Sequence, residues 1–424
     1  MVSPLTSRLS GPLRSRPFVL LLTGRTISMA GNAIAPIGLA FAVLGLTGSG
    51  GDLGLVMAAR TVPQVLFLLF GGVIADRFPR RVTLMVAAAA ACLTQASAAT
   101  LLLTGVARVW QLAVIEALNG TASALLFPAS QSAIPQTVPA QHLASANALF
   151  RLGRNSTMVL GATAGGLIVA ALGPGPAIAV DAATFGLSLL LYAGLRLAPV
   201  RADDAPSPSM TRELAEGWRD FRSRRWLWMI VVQFCFVNAA MSAGFEVLGP
   251  VMAERRLGGA GPWGLIVAAN ATGMVLGSIV LIWLRARRPL LAGNTGMLCM
   301  LPCFALLGLG APVAWLVPVA ALAGLGLELF GVNWDLTMQR EIPPDRLGRV
   351  YAYDAVGSFV CLPIGQALAG PAQSVFGLSG AIWVAGAVIG VSTLAIYALR
   401  EVWTLRAPRP ASAPAAHVNA VSET

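Results

Sequence analysis

The feature that most constrains this chain is the recurrence of apolar runs about 20 residues long from one end to the other, with most of the charge held between them. Each run can cross a hydrocarbon layer ~30 Å thick. Backbone polar groups find no water inside such a layer, so each run has to satisfy its own hydrogen bonds as a helix. Twelve runs are expected to span, at about 18–45, 52–75, 82–104, 109–130, 147–171, 175–196, 226–250, 262–284, 290–311, 313–338, 351–372 and 377–399. Glycines and prolines interrupt many of them. A membrane bundle tolerates this, because neighbouring helices satisfy freed backbone groups and small residues let helices approach. Only 11% of residues are charged, against about 25% in soluble domains. The expected fold class is an all-α integral membrane protein with 12 transmembrane helices.

The net charge of +11 invites a nucleic-acid reading, but the arginines lie between spans and argue against it. All 29 basic residues are Arg, so no phosphate-binding glycine loop with its Lys exists, and a nucleotide-driven pump in this polypeptide is excluded. With the N-terminus inside, Arg108, Arg255 and Arg256 are the arginines that fall in outer loops, and Arg25 and Arg60 fall within spans. The rest are on the inner side, which places both termini in the cytoplasm of a bacterial plasma (inner) membrane. No cleavable signal pattern precedes the first run. Cys92, Cys235, Cys299, Cys303 and Cys361 all fall inside runs and read as small core residues, with no metal set around them. His142 and His417 lie outside the spans, so a histidine proton relay is not expected. No catalytic constellation and no cofactor site is found, and the chain is not expected to be an enzyme.

The segment 197–225 divides the runs into halves of six, 1–196 and 226–400, followed by a tail at 401–424 expected to be disordered. The divider begins as a Pro- and Ser-containing linker. It continues as an amphipathic helix, with Leu214, Trp218 and Phe221 at helical spacing, expected to lie on the inner leaflet. A plain solvated connector is the alternative. The halves echo one another. Val138-Pro139-Ala140-Gln141-His142-Leu143-Ala144 matches Ile342-Pro343-Pro344-Asp345-Arg346-Leu347-Gly348 at an offset of 204, which also aligns Gly153 with Gly357, Gly161 with Gly365 and Gly166 with Gly370.

Between the second and third runs lies Gly71-Gly72-Val73-Ile74-Ala75-Asp76-Arg77-Phe78-Pro79-Arg80-Arg81, expected to be a tight, wet turn. The pattern Gly72, Asp76, Arg77, Arg80, Arg81 resembles the signature loop of the major facilitator superfamily of secondary transporters, with Pro79 where a second glycine is usual. Val138-Pro139, Leu143, Ala146-Asn147, Asp181-Ala182-Ala183-Thr184-Phe185, Glu216-Gly217-Trp218, Gly264-Leu265-Ile266 and Gly273 resemble the branch containing macrolide-efflux proteins and the enterobactin exporter. The resemblance implies two pseudo-symmetric six-helix halves, alternating access, and export of amphipathic small molecules by exchange for protons. It also implies a monomer in the lipid bilayer. Import of a small nutrient and a non-transporting receptor on the same fold are the alternatives.

Within this frame Asp76 is expected to latch the inner side by facing a helix N-terminus of the other half, supported by Arg77, Arg80 and Arg81. The alternative is that these charges only set topology. Gly161, Gly165 and Gly166 resemble the glycine-rich antiporter motif, with Ala162 in place of its proline; generic small-residue packing is the alternative. An acid in a low-dielectric cavity is needed for proton coupling. Glu328, midway along the tenth run, ranks first, then Glu116, Asp181 and Glu246. Arg25 and Arg154 are the buried cations towards the inner side. Where the drug–proton relatives carry an arginine four residues before a glycine in the fourth helix, this chain has Glu116 before Gly120. Asn32, Gln64, Asn119, Gln233, Asn238, Asn270, Asn333 and Gln366, with Trp228, Trp334, Phe127 and the methionines, are candidates to line an adaptable cavity.

The latch makes a prediction. Asp76→Asn is expected to insert at wild-type levels but to transport poorly; undiminished flux in that variant would remove the latch from the argument.

Overall fold

The computed structural model describes residues 11–77, 79–197, 210–283 and 286–405. The linker residues 198–209 and the tail beyond 405 lie outside the described residues. Every regular element among them is helical. The first six long helices are α1 (Arg16–Thr47), α2 (Gly50–Arg77), α3 (Arg80–Leu103), α4 (Val109–Ala133), α5 (Leu143–Leu172) and α6 (Pro174–Ala193). A short helix α7 (Met210–Ser223) precedes α8 (Arg225–Leu257), α9 (Ala260–Trp283), α10 (Pro289–Leu309) and α11 (Val313–Glu341). Then come α12 (Pro344–Phe359), α13 (Leu362–Ile396) and the short α14 (Arg400–Thr404). The last lies in the stretch expected to be disordered, with Val402 buried and the Trp403 indole donating to Tyr397 O at 2.8 Å.

Ten helices among the described residues are long and apolar enough to cross a membrane. One of these, Arg349–Ile396, is 48 residues long. It breaks at Gly377, whose φ of 70° and ψ of 170° only a residue without Cβ adopts cheaply, so it is two rods. The helix Gly50–Arg77 adds a further 28 residues of rod, and the expected runs fall on these helices, the run 351–372 across the α12–α13 junction. The stretch around Asp76 is helix, not turn. α2 continues through Gly72, Asp76 and Arg77, and Pro79 caps the start of α3. Proline has no N–H to leave unsatisfied at a helix entrance, which explains so abrupt a join. The side chains of Gly72, Asp76 and Arg77 lie outside the described residues.

Large apolar side chains face outward along the rods, among them Leu93, Leu160, Leu190 and Val375 at 69%, 68%, 70% and 74% exposure. That much apolar surface suits hydrocarbon rather than water. α7 packs against α12: Trp218 and Phe221 gather round Tyr353, and Arg346 pairs with Asp220 at 3.0 Å. The apolar stripe expected to lie on the leaflet is therefore partly covered by protein, with Phe221 buried and Trp218 half exposed.

α1 packs on α5 and α6, α3 on α4 and α6, and α2 on α4; α9 packs on α11, α10 on α11 and α13, and α8 on α13. The broadest contacts between the first six rods and the later ones are α5 on α9 and α2 on α13. Both are backbone-to-backbone near the end of the bundle that carries few arginines. A Cβ on Gly166 would stand 2.8 Å from Gly264 Cα, and one on Gly370 would stand 2.5 Å from Gly51 Cα. Side chains cannot fit there, so the two seams close that end of the bundle.

A bulkier residue should prop the seam. Gly166→Val is expected to lengthen the distance between spin labels at the exposed positions Leu172 and Leu265, read by pulsed electron resonance; an unchanged distance would show that the seam is not a tight contact.

Candidate functional site

Behind the seams lies a cavity of about 810 Å³ bordered by α1, α2, α4, α5, α8, α9 and the α12–α13 junction. Its wall is mainly apolar and rich in methionine, with Met29, Met57, Met158 and Met241 beside Phe245, Trp263 and Phe359. Unbranched thioethers repack round ligands of different shape. Asn32, Gln64, Asn270 and Gln366 supply polar groups, and Arg25, Arg60, Arg154 and Glu246 supply charge. Arg25 and Arg154 sit towards the arginine-rich ends of α1 and α5, and Arg154 is exposed there. The cavity thus reaches towards the arginine-rich end and is shut at the other.

The remaining polar candidates are engaged elsewhere. Asn119 donates to Thr94 Oγ1 at 3.0 Å, Gln233 to Thr393 Oγ1 at 3.3 Å and Asn238 to Ser358 O at 2.8 Å, while Asn333 bonds to Leu329 O in its own helix at 2.7 Å. Trp228 and Trp334 do not line the cavity. The side chain of Phe127 lies outside the described residues.

The densest charge sits at one wall. Arg60 of α2 reaches Glu116 Oε2 at 3.3 Å and donates to Asn32 Oδ1 at 3.0 Å. Gly120 lets α4 press directly on the Arg60 carbonyl, so the pair is set by backbone contact. Arg60 borders the cavity, whereas Glu116 behind it is wholly buried. Asp181 of α6 is also wholly buried and within the electrostatic field of both. Both Asp181 oxygens and Glu116 Oε1 lack a well-formed hydrogen bond among the described residues. One carboxylate meets the guanidinium directly, the second is buried without such a pair, and spare lone pairs remain on both, an arrangement that can hold a proton. The sequence reading counted Arg60 only as a charge inside a span; a lone cation that deep is itself the signal of a partner. Glu116 thus finds its cation on α2.

The other candidates separate. Glu246 projects into the cavity from a turn of π-helix, Ser242–Val247, and accepts from Gln366 Nε2 at 3.4 Å. Such widened turns recur at functional positions because the extra residue re-aims a side chain. Glu328, ranked first from sequence, does not line the cavity. It faces α9 from α11 and accepts from Ser278 Oγ at 2.5 Å. Gly161 and Gly165 pack on α1 at Ala33 and Ile34, and Gly166 makes the seam with α9. Arg81 donates to Ala193 O at 2.6 Å, capping the last carbonyls of α6, and Arg80 faces the Gln136 amide beyond α4. Cys235 and Cys361 form a disulfide between α8 and the α12–α13 junction, which corrects their reading as separate small core residues. No metal-binding group occurs among the described residues.

Comparison with known proteins agrees with this architecture. A family model described as Major Facilitator Superfamily matches residues 20–361. An uncharacterized MFS-type transporter of Bacillus subtilis, YfiS, is 25% identical over 88% of this chain and 91% of its own. The multidrug efflux pump Tap of Mycolicibacterium fortuitum is 24% identical over 91% of this chain and 97% of its own. Among solved structures, the nucleoside transporter NupG superimposes with a TM-score of 0.74 at 12% identity, over 92% of this chain and 100% of that one. A bacterial homolog of the human lysosomal transporter Spinster, inward-facing and occupied, does so with 0.71 at 14%, over 93% and 99%.

Removing one partner of a buried ion pair strands the other. Glu116→Ala is expected to cost about 3 kcal/mol of stability, towards the low end because Arg60 borders the cavity. The double variant Arg60→Ala/Glu116→Ala should recover part of that loss in thermal unfolding; strictly additive losses would mean that the pair is not coupled.

Proposed function

The chain belongs to the Major Facilitator Superfamily, and from that premise we propose that it is a secondary transporter exporting amphipathic small molecules across a bacterial plasma membrane in exchange for protons. The observation that carries this reading is the apolar, methionine-lined cavity of about 810 Å³ with a buried Arg60–Glu116–Asp181 cluster in its wall. The positive-inside rule assigns the arginine-rich end to the cytoplasm. On that assignment the structure is open to the cytoplasm and sealed outside by the α5–α9 and α2–α13 seams. Two halves of six helices, 1–196 and 226–400, rock about the cavity to expose it alternately.

Coupling runs through Arg60, the member of the cluster that borders the cavity and touches Glu116. A proton arriving on a Glu116 oxygen ends its claim on the guanidinium. Arg60 is then held by Asn32 and the Asp181 field alone, and its position against the cavity wall changes. Cargo entering that wall meets a different charge from the one it met before, so proton and cargo compete for one arrangement of Arg60. Asp181 is the second acid of the cluster and the site to which the proton passes. The identity of the matched efflux pump supports export as the direction.

Everted vesicles test this. A panel of amphipathic antibiotics and dyes should release protons from the lumen on addition. Glu116→Gln and Asp181→Asn should each lower that exchange by about tenfold or more, and Glu328→Gln should leave it near wild type. Undiminished exchange in both cluster variants would overturn the assignment, and uptake of the panel by whole cells would reverse the direction.

A further inference from the structure

We infer that the cargo carries an anionic head on an apolar body, and that Arg25 and Arg154 form the site for that head. The inference rests on the reading of this chain as an exporter of amphipathic molecules and names their class. Thr26 Oγ1 lies 2.7 Å from the place a Cβ on Gly153 would occupy. α1 and α5 run in the same direction, so Arg25, one residue before Thr26, and Arg154, one after Gly153, stand on adjacent helices with an offset of about two residues, ~3 Å along the axis, and both line the cavity. Neither forms an ion pair among the described residues.

The other charges of the cavity do not answer them. Arg60 is matched to Glu116 and Asn32. Glu246, on the opposite wall, stands about 12 residues further from the arginine-rich end of its helix, roughly 18 Å along the axis, and is held by Gln366. Arg25 is partly buried beside an apolar chamber, where a charge is costly without an anion, Arg154 stands exposed at the open side, and a carboxylate, sulfonate or phosphate meets two such planar donors in pairs. One helical turn deeper on the same faces stand Met29 and Met158, both lining the cavity. Each arginine is followed by a thioether, so a head held by the pair would lay its apolar body along the methionines.

The test uses three dyes. 1-Anilinonaphthalene-8-sulfonate and N-phenyl-1-naphthylamine share a skeleton and differ by the sulfonate, and tetraphenylphosphonium is a lipophilic cation. Binding is measured on the full chain in nanodiscs of zwitterionic lipid, with empty discs subtracted. The sulfonate should bind about tenfold or more tighter than its neutral counterpart, the effect of one charge-assisted hydrogen bond or more. Arg25→Gln/Arg154→Gln should erase that advantage while the neutral dye shifts by less than about twofold, which also shows that the cavity is intact. Arg25→Lys/Arg154→Lys should keep part of it. Equal binding of the two dyes by wild type, or a sulfonate advantage that survives in the Gln variant, would overturn the inference. Competition by phosphatidylglycerol in the discs that depends on the two arginines identifies a lipid head as the occupant; its absence identifies a soluble amphiphile. Both outcomes keep the anion site. Export of tetraphenylphosphonium but not of the sulfonate from cells would remove the inference and leave the exporter. Arginine-dependent sulfonate binding without flux of any dye would do the reverse.

Discussion

Arg60 brings a guanidinium into the middle of a bundle that has to sit in hydrocarbon, and much of the first six helices is arranged to answer that charge. Glu116 meets it at 3.3 Å and Asn32 at 3.0 Å, while Asp181 stands in its field. Each of these groups comes from a different helix, so the charge ties α1, α2, α4 and α6 into one unit. In low dielectric the pair cannot be half-made: removing either member leaves a charge whose desolvation nothing repays. The same wall faces the cavity. The charge that organises the packing is therefore also one that borders the cavity.

The cavity itself is lopsided. Its three arginines come from the first six helices, and its carboxylate comes from α8 on the other side. The broad seams at α5–α9 and α2–α13 lie towards the end of the bundle away from Arg25 and Arg154. A ligand that bridges the charged walls gains contact when they approach, and that differential affinity is what a two-state transporter needs.

The rods were legible in the sequence because an apolar run about 20 residues long has few alternatives. The expected runs fall on helix, and of the glycine motif in the fifth run Gly166 lies in a seam while Gly161 and Gly165 pack on α1. Less legible was anything that depends on how a helix is rotated. Glu328 looked deepest because it is midway along its run, but depth along a helix says nothing of the face, and its face meets Ser278 rather than the cavity. Arg60 was passed over for the converse reason: its partners are 28 and 56 positions away, on helices whose rotation the sequence does not state. The turn of π-helix that aims Glu246 leaves no compositional trace, since it is a property of hydrogen-bond register. The α2–α3 join shows a third limit. Charges that must be wet fit a loop, yet a helix end at the membrane surface keeps them equally wet.

The two glycine seams have a mechanical consequence. Among the described residues no hydrogen bond crosses from Gly166 to Gly264 or from Gly51 to Gly370, and the surfaces in contact are bare backbone. Their adhesion is dispersion, which fades within about an ångström of separation. Polar groups lie beside the bare contacts, with Arg255 donating to Gly48 O at 3.4 Å and Gln373 Oε1 next to Gly50. The closeness of the two seams is set by the absence of side chains, and any Cβ placed there holds the helices apart.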